Sequence, residues 1–370
     1  MTDILRFVCA LDPRYGGVPQ GISLISKETK RYGISTAIVS CGNSARSKLK
    51  SNSDLDQLRS AGIDVFTSGA FFTNPYGLGG FIRVVTHLLM IEKPKLVVTH
   101  QVWTLSTIYG YVYSKVFSVS LVVMPHGSLS SYHQAKSKLV KKLASVLIID
   151  RILRHATHIV VTSTLEMEEL DDNLRPKAFV VPYGTDIELP NKEAVQDDKI
   201  IFAGRITRKK NLDQVIKSIP AIIGKFPNAQ LLIAGDGPSS DISILKDLVF
   251  DLGLGESVLF MGWLARRDLL STMSECSVFV LPSEYENFGH AVMESLASGI
   301  PVVVSNKVAL ANIVSKYAAG VVIESNTPNE ISWAISRILE NQQEFSANAL
   351  NAAKNEFSWG AIAKSWRSIC

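Results

Sequence analysis

The stretch Val278-Phe279-Val280-Leu281-Pro282-Ser283-Glu284-Tyr285-Glu286-Asn287-Phe288-Gly289-His290-Ala291-Val292-Met293-Glu294-Ser295-Leu296-Ala297-Ser298-Gly299-Ile300-Pro301-Val302-Val303 decides the fold. A short apolar run of β-favouring residues ends at Pro282-Ser283. A polar turn follows, Ala291 to Ala297 has helical spacing, Gly299 stops the helix, and Pro301-Val302-Val303 opens the next apolar run. Two carboxylates, Glu286 on the loop and Glu294 inside the helix, stand eight positions apart. A helix that starts near Phe288 turns its first amides and the positive end of its dipole toward whatever Glu286 flanks, which makes an anion site.

The same rhythm extends in both directions. Upstream, strand-like runs fall at Ile4 to Ala10, Thr36 to Ser40, Ile63 to Thr67, Leu96 to Thr99, Leu121 to Met124, His158 to Thr162 and Ala178 to Val181. After Asp198 a second set begins, with Ile200 to Ala203, Gln230 to Ala234, Val258 to Phe260, Val278 to Leu281, Pro301 to Val304 and Gly320 to Ile323. Nearly continuous Val/Ile/Leu strands divided by helices predict parallel sheets covered on both faces. The chain has 370 residues, of which 46% are hydrophobic, so two cores are expected. The polar segment Ile187 to Lys199, with Pro190, is the expected hinge. The expected division is 1–188, 189–352 and a C-terminal helix in 353–370 that packs back on the first domain.

No basic leader with an apolar core opens the chain, since Asp3 and Arg6 interrupt the first strand, and no apolar run is long enough to span a bilayer. A cytoplasmic location is the expectation. Cys9, Cys41, Cys276 and Cys370 lack any metal-ligand spacing and read as reduced thiols, mostly in apolar settings. The charge of +4 is divided unevenly, with net +6 in residues 1–190 and net −2 in 191–370. A basic first half suits an anionic neighbour such as a membrane surface or a phosphorylated acceptor. Nucleic acid is disfavoured, because the basic residues are not interleaved with exposed aromatics.

Phe202-Ala203-Gly204-Arg205-Ile206-Thr207-Arg208-Lys209-Lys210-Asn211-Leu212-Asp213 ends a strand at Gly204 and opens a helix at Asn211, an N-cap residue with Gln214 three positions on. Arg205 and Lys210 then bracket a loop at the carboxyl edge of a parallel sheet, where ligands bind in open α/β folds. An Arg fork and a Lys point charge neutralise a diphosphate. At 1.5 Å per helical residue, Glu286 and Glu294 stand roughly 8–12 Å apart, about the reach of a diphosphate with a sugar at one end and a ribose at the other. Each motif alone reads first as an ordinary basic loop or a solvated helix face.

In the first half, Gly16-Gly17 follows strand one and lets amides approach a phosphate, though the spacing is not that of a nicotinamide-binding turn. Pro125-His126-Gly127-Ser128 follows a middle strand, and a histidine there is either structural or able to donate to a sugar hydroxyl. Val181-Pro182-Tyr183-Gly184-Thr185-Asp186 precedes the hinge, and Ala234-Gly235-Asp236-Gly237-Pro238 follows a second-half strand.

Taken in order, these motifs, with Phe260 to Trp263 and the Ser298-Gly299-Ile300-Pro301-Val302-Val303 run, resemble glycosyltransferase family 4. These are retaining nucleotide-sugar transferases of GT-B fold, with two Rossmann-like domains facing across a cleft. The resemblance implies that Arg205 and Lys210 hold the donor diphosphate and Glu294 the ribose. It implies that Glu286 and the amides of Phe288 and Gly289 meet the donor sugar and its phosphate. Gly16 and Gly17 would approach the phosphate, His126 the sugar near its anomeric carbon, and Gly262 and Trp263 the base. The implied catalytic set is therefore His126, Glu286, Arg205 and Lys210. Tyr183 stands where the family usually has Asn, and Asn211 replaces a common Gly. His126-Gly127-Ser128-Leu129 most resembles members that build bacterial O-antigen, capsule or exopolysaccharide. The nucleoside-diphosphate sugar would be a substrate, with no cofactor and no metal, and the acceptor a saccharide, often lipid-linked in this family. Front-face attack and a covalent intermediate both remain open, as do a GT-B 2-epimerase and a catalytically silent binding relative.

Two features fall outside that pattern. Asp54-Leu55-Asp56 resembles a metal-binding pair but lies in a polar segment and reads as a solvated face. Residues 131–155 alternate Lys136, Lys138, Lys141, Lys142, Arg151 and Arg154 with Leu139, Leu143, Val146, Leu147 and Ile148. That pattern fits a helix lying on an anionic bilayer or one packed on the sheet with a basic outer face.

Overall fold

The computed structural model describes residues 2–9, 11, 17–40, 53–67, 93–130, 148–187 and 198–369. They form two compact units, Met1–Gly184 with Trp359–Cys370, and Thr185–Ser358. The division falls at Thr185 because its amide donates to Phe357 O at 3.0 Å, and because Arg266 Nη2 lies 3.5 Å from its hydroxyl. The return to the first unit comes at Trp359, after the helix Gln342–Glu356 has packed on the helices His290–Ala297 and Ala311–Tyr317 of the second. Most of the expected hinge, 188–197, lies outside the described residues.

The first unit holds seven strands: β1 (Ile4–Val8), β2 (Thr36–Ser40), β3 (Asp64–Thr67), β4 (Leu96–His100), β5 (Ser120–Met124), β6 (His158–Val161) and β7 (Ala178–Val180). They run in the order β3-β2-β1-β4-β5-β6-β7, all parallel. Both faces are buried. Leu5, Phe7 and Val97 enter one core, with Tyr113, Ile152 and Leu153. Ile4, Leu96 and Val98 enter the other, with Ile25, Ile362 and Trp366. This two-sided burial explains why the strands read as continuous apolar runs rather than alternating ones. Arg6, on the Ile4 face, is wholly buried, and its guanidinium lies 4.5 Å over the Trp366 ring. The C-terminal helix Trp359–Arg367 thereby packs beside the helix Gly17–Arg31 and closes that face.

The second unit holds β8 (Lys199–Ala203), β9 (Gln230–Ala234), β10 (Val258–Gly262), β11 (Val278–Leu281), β12 (Val302–Ser305) and β13 (Gly320–Ile323). Their order is β10-β9-β8-β11-β12-β13, again all parallel. β10 runs two residues past the expected end, with a register shift between Phe260 and Gly262. Leu212–Ile223 buries Leu212, Val215, Ile216, Ile219 and Ile222, the stripe its 3.6-residue period requires, and packs against Pro328–Glu340. In each sheet the strand order reverses once, between β1 and β4 and between β8 and β11. Ligands of such folds bind outside the carboxyl ends of the strands at this reversal. The architecture is the two-domain Rossmann-like GT-B fold.

Among the described residues no helix is long and apolar enough to cross a membrane. Of the basic segment 131–155, residues 131–147 lie outside the description, as do Gly16, Cys41 and Cys370. Cys276 is buried as expected, whereas Cys9 is exposed at the end of β1. Asp54 and Asp56 both fall in the helix Ser53–Ser60, and Asp56 lies 3.8 Å from Arg59.

Candidate functional site

In the second unit, the loops after β8 and β11 meet at the strand reversal. Asn211 Nδ2 donates to Pro282 O at 2.9 Å, and the Glu284 amide donates to Lys209 O at 2.9 Å. The expected N-cap role of Asn211 does not form. The residue takes a left-handed conformation (φ 51°), makes no side-chain cap, and spends its amide on the neighbouring loop, while Gln214 turns to Asp213. Asn tolerates that conformation better than most residues, which accounts for its presence where a Gly is common.

Those ties bring Lys210 against Glu286, whose carboxylate accepts from Nζ. Lys210 is only 7% exposed. Glu286 is fixed from its backbone too, its amide donating to Lys307 O and its carbonyl accepting from Ala309 N. Arg205 is exposed and has no hydrogen bond or ion pair among the described residues. The loop that carries it is braced by the Ala234–Pro238 turn. Gly204 N donates to Ala234 O at 3.0 Å and Ile206 N to Asp236 O at 2.9 Å. A Cβ on Gly235 would lie 1.9 Å from Gly204 O, and one on Gly237 2.1 Å from Ile206 O, so only glycine permits this approach.

The helix after Glu286 begins at His290, two residues later than expected, because Gly289 (φ 94°, ψ 61°) turns the chain immediately before it. Phe288 is buried against Phe357 and His290. Glu294 is buried and accepts from Arg266 Nε at 2.9 Å. Burial pushes its carboxyl up, and the Arg266 charge opposes that shift. His290 is pushed down to about 4, by burial first and Arg266 second. Gly262 ends β10 and accepts from Gly235 N, while Trp263 stands 62% exposed beside it.

In the first unit, Gly17 opens the helix Gly17–Arg31 and His126 follows β5 at the carboxyl edge. His126 and Gly127 both have positive φ (52° and 75°). The buried Glu166 holds the turn by accepting from Gly127 N, Thr162 N and Thr162 Oγ1. Both ring nitrogens of His126 are engaged, Nε2 with His100 Nδ1 at 2.9 Å and Nδ1 with the Tyr183 hydroxyl at 2.8 Å.

Arg266, His100, Arg6 and Glu166 escaped the reading of the sequence. His100 ends β4 as His126 follows β5, so the rule that found one could have found the other. Arg266 had no signal beyond its position three residues after Trp263.

The family description "Glycosyl transferases group 1" matches residues 186–356, and "Glycosyl transferase 4-like domain" matches 16–184. An uncharacterised glycosyltransferase of Methanocaldococcus jannaschii is 35% identical over 175 residues, 46% of this chain and 44% of that protein. The chain thus aligns with less than half of that relative's length. The D-inositol 3-phosphate glycosyltransferase of Corynebacterium glutamicum is 22% identical over 321 residues, 80% of this chain and 77% of that one. Anabaena HepE, solved in complex with UDP and glucose, superposes with a TM-score of 0.75 at 18% identity, covering 100% of this chain and 99% of its own. With both units matched in order, one by each description, the chain belongs to the GT4-type GT-B glycosyltransferases.

Proposed function

We propose that this protein transfers a hexosyl group from a nucleoside-diphosphate sugar to a hydroxyl of a saccharide acceptor, with retention at the anomeric carbon and without a metal ion. The bond from the anomeric carbon to the diphosphate oxygen breaks and its electron pair leaves with the diphosphate. The acceptor oxygen bonds to the same carbon, and its proton passes to the departing diphosphate or to water. The observation that carries this reading is the Lys210–Glu286 pair, with the exposed Arg205 on the same loop after β8, at the strand reversal of the second sheet. Charge growing on a leaving diphosphate is met there by Arg205, by Lys210 and by the amides at Phe288 and Gly289. Glu294 takes the ribose hydroxyls, Gly262 and Trp263 the base, and Gly16 and Gly17 approach the phosphate. Glu286, held by Lys210, faces the donor sugar, and His126 is assigned to the sugar near its anomeric carbon.

HepE was solved with UDP and glucose, and that supports a nucleotide-sugar donor here. The net +6 of residues 1–190 supports a lipid-linked acceptor met on the cytoplasmic face of an anionic membrane, in bacterial surface-polysaccharide assembly.

Calorimetric titration with UDP and with GDP tests the donor site. One of the two should bind the wild type, undiminished by EDTA, and Glu294→Gln should weaken it about tenfold, the loss of one hydrogen bond to a charged group. Absence of binding by either nucleotide, or equal binding by the variant, overturns the assignment.

A further inference from the structure

Four side chains of the first unit form one hydrogen-bonded line. Arg6 Nη1 lies 3.4 Å from His100 Nε2, His100 Nδ1 lies 2.9 Å from His126 Nε2, and His126 Nδ1 lies 2.8 Å from the Tyr183 hydroxyl. The three rings are stacked, with centroids 5.2 and 5.9 Å apart and interplanar angles of 11° and 14°. A guanidinium has donors only. His100 Nε2 must therefore accept, and the single proton of a neutral His100 sits on Nδ1. Burial first, and then His126 and Arg6, hold His100 well below the ordinary histidine range, so it is neutral. Its Nδ1–H points at His126 Nε2, which must accept in turn. An imidazolium at His126 would put two protons between the same pair of nitrogens. The one remaining proton of His126 lies on Nδ1, directed at the Tyr183 oxygen.

The surroundings hold this line in place. Arg6 is anchored over Trp366, and Glu166 holds the His126-Gly127 turn. A Cβ on Gly21 would lie 2.3 Å from the Tyr183 ring, so the helix Gly17–Arg31 carries a glycine where that ring rests. An interior helical glycine costs about 1 kcal/mol relative to alanine, and room for Tyr183 accounts for it. Tyr183, the departure from the family's usual Asn, is the far end of the relay.

We propose that Arg6 and His100 are positioning residues that fix His126 as a neutral imidazole protonated at Nδ1, so that the atom His126 offers a sugar oxygen is its Nδ1–H, shared with the Tyr183 hydroxyl. The sugar contact rests on the function proposed above, whereas the tautomer stands on the geometry of the line and the burial of His100.

Two-bond ¹H–¹⁵N correlation spectra of the full chain, labelled at histidine nitrogens and assigned with His100→Gln and His126→Gln, test it. Both residues should give protonated Nδ1 and acceptor Nε2 shifts. A protonated Nε2 on His126, or a doubly protonated ring, overturns the proposal. Arg6→Met keeps an apolar stem against Trp366 but removes the donor. It should mix the His126 tautomers and lower kcat about 10²-fold, the low end for a misplaced proton donor, with donor KM and the affinity for whichever of UDP and GDP binds unchanged. Arg6→Lys should restore both readouts in part. Wild-type tautomer and turnover in Arg6→Met overturn the proposal. The expected tautomer in a protein that transfers no sugar would instead defeat the proposed function and leave the relay intact.

Discussion

If the proposed function holds, Arg205→Ala and Lys210→Ala should each lower turnover by at least about 10²-fold, since each would remove roughly 3 kcal/mol of charge stabilisation from the departing diphosphate. The two differ in stability. Arg205 is exposed and without a partner among the described residues, so its loss leaves the melting temperature unchanged. Lys210 is buried against Glu286, and its removal strands a carboxylate that is 21% exposed. Breaking a fully buried pair costs about 3–5 kcal/mol, and the partial exposure puts this one at or below the low end. Paired kinetics and thermal melts check both statements. Wild-type turnover in either variant, or an unchanged melt in Lys210→Ala, contradicts them.

Gly235→Ala is the largest structural effect expected. The new Cβ would lie 1.9 Å from the Gly204 carbonyl oxygen, and φ is 151°, so backbone has to move rather than a side chain. Overpacking of this kind costs about 3 kcal/mol or more, a fall of roughly 6–12 °C for a unit of this size. The displaced loop carries Arg205, so under the proposed function donor affinity should fall as well. Gly253→Ala is the control, because its φ is also positive (66°) but nothing lies within 4 Å of the new Cβ. Equal melting shifts in the two variants would mean that the close approach of the Gly204 and Gly235 loops is not what the glycine serves.

The strand pattern was legible because both sheets are buried on both faces, and two-sided burial writes unbroken Val/Ile/Leu runs such as Val278–Leu281 and Val302–Ser305. Helix starts were less legible. The left-handed turns at Asn211 and Gly289 shift them, and such turns are set by neighbouring loops as much as by the residue itself. Among charged groups, the places of Arg205, Lys210 and Glu286 on strand-to-helix loops and of Glu294 in the helix that follows could be read from the sequence. Arg6 could not. A lone charge inside an apolar strand reads as an interruption, and only the packing of Trp366, 360 positions later, reveals it as the buried end of a relay. Arg266 was hidden likewise, because its pairing with Glu294 depends on two helices meeting across the second unit.

Incubation of the purified protein with a panel of nucleotide sugars, following nucleoside diphosphate release with and without saccharide acceptors, tests the central claim most directly. Release is expected from one nucleotide sugar, raised by one acceptor, unchanged by EDTA and lost in Arg205→Ala, with the product glycoside keeping the donor's anomeric configuration. No release from any donor in the panel, an epimerised sugar without transfer, or an inverted glycoside would contradict it.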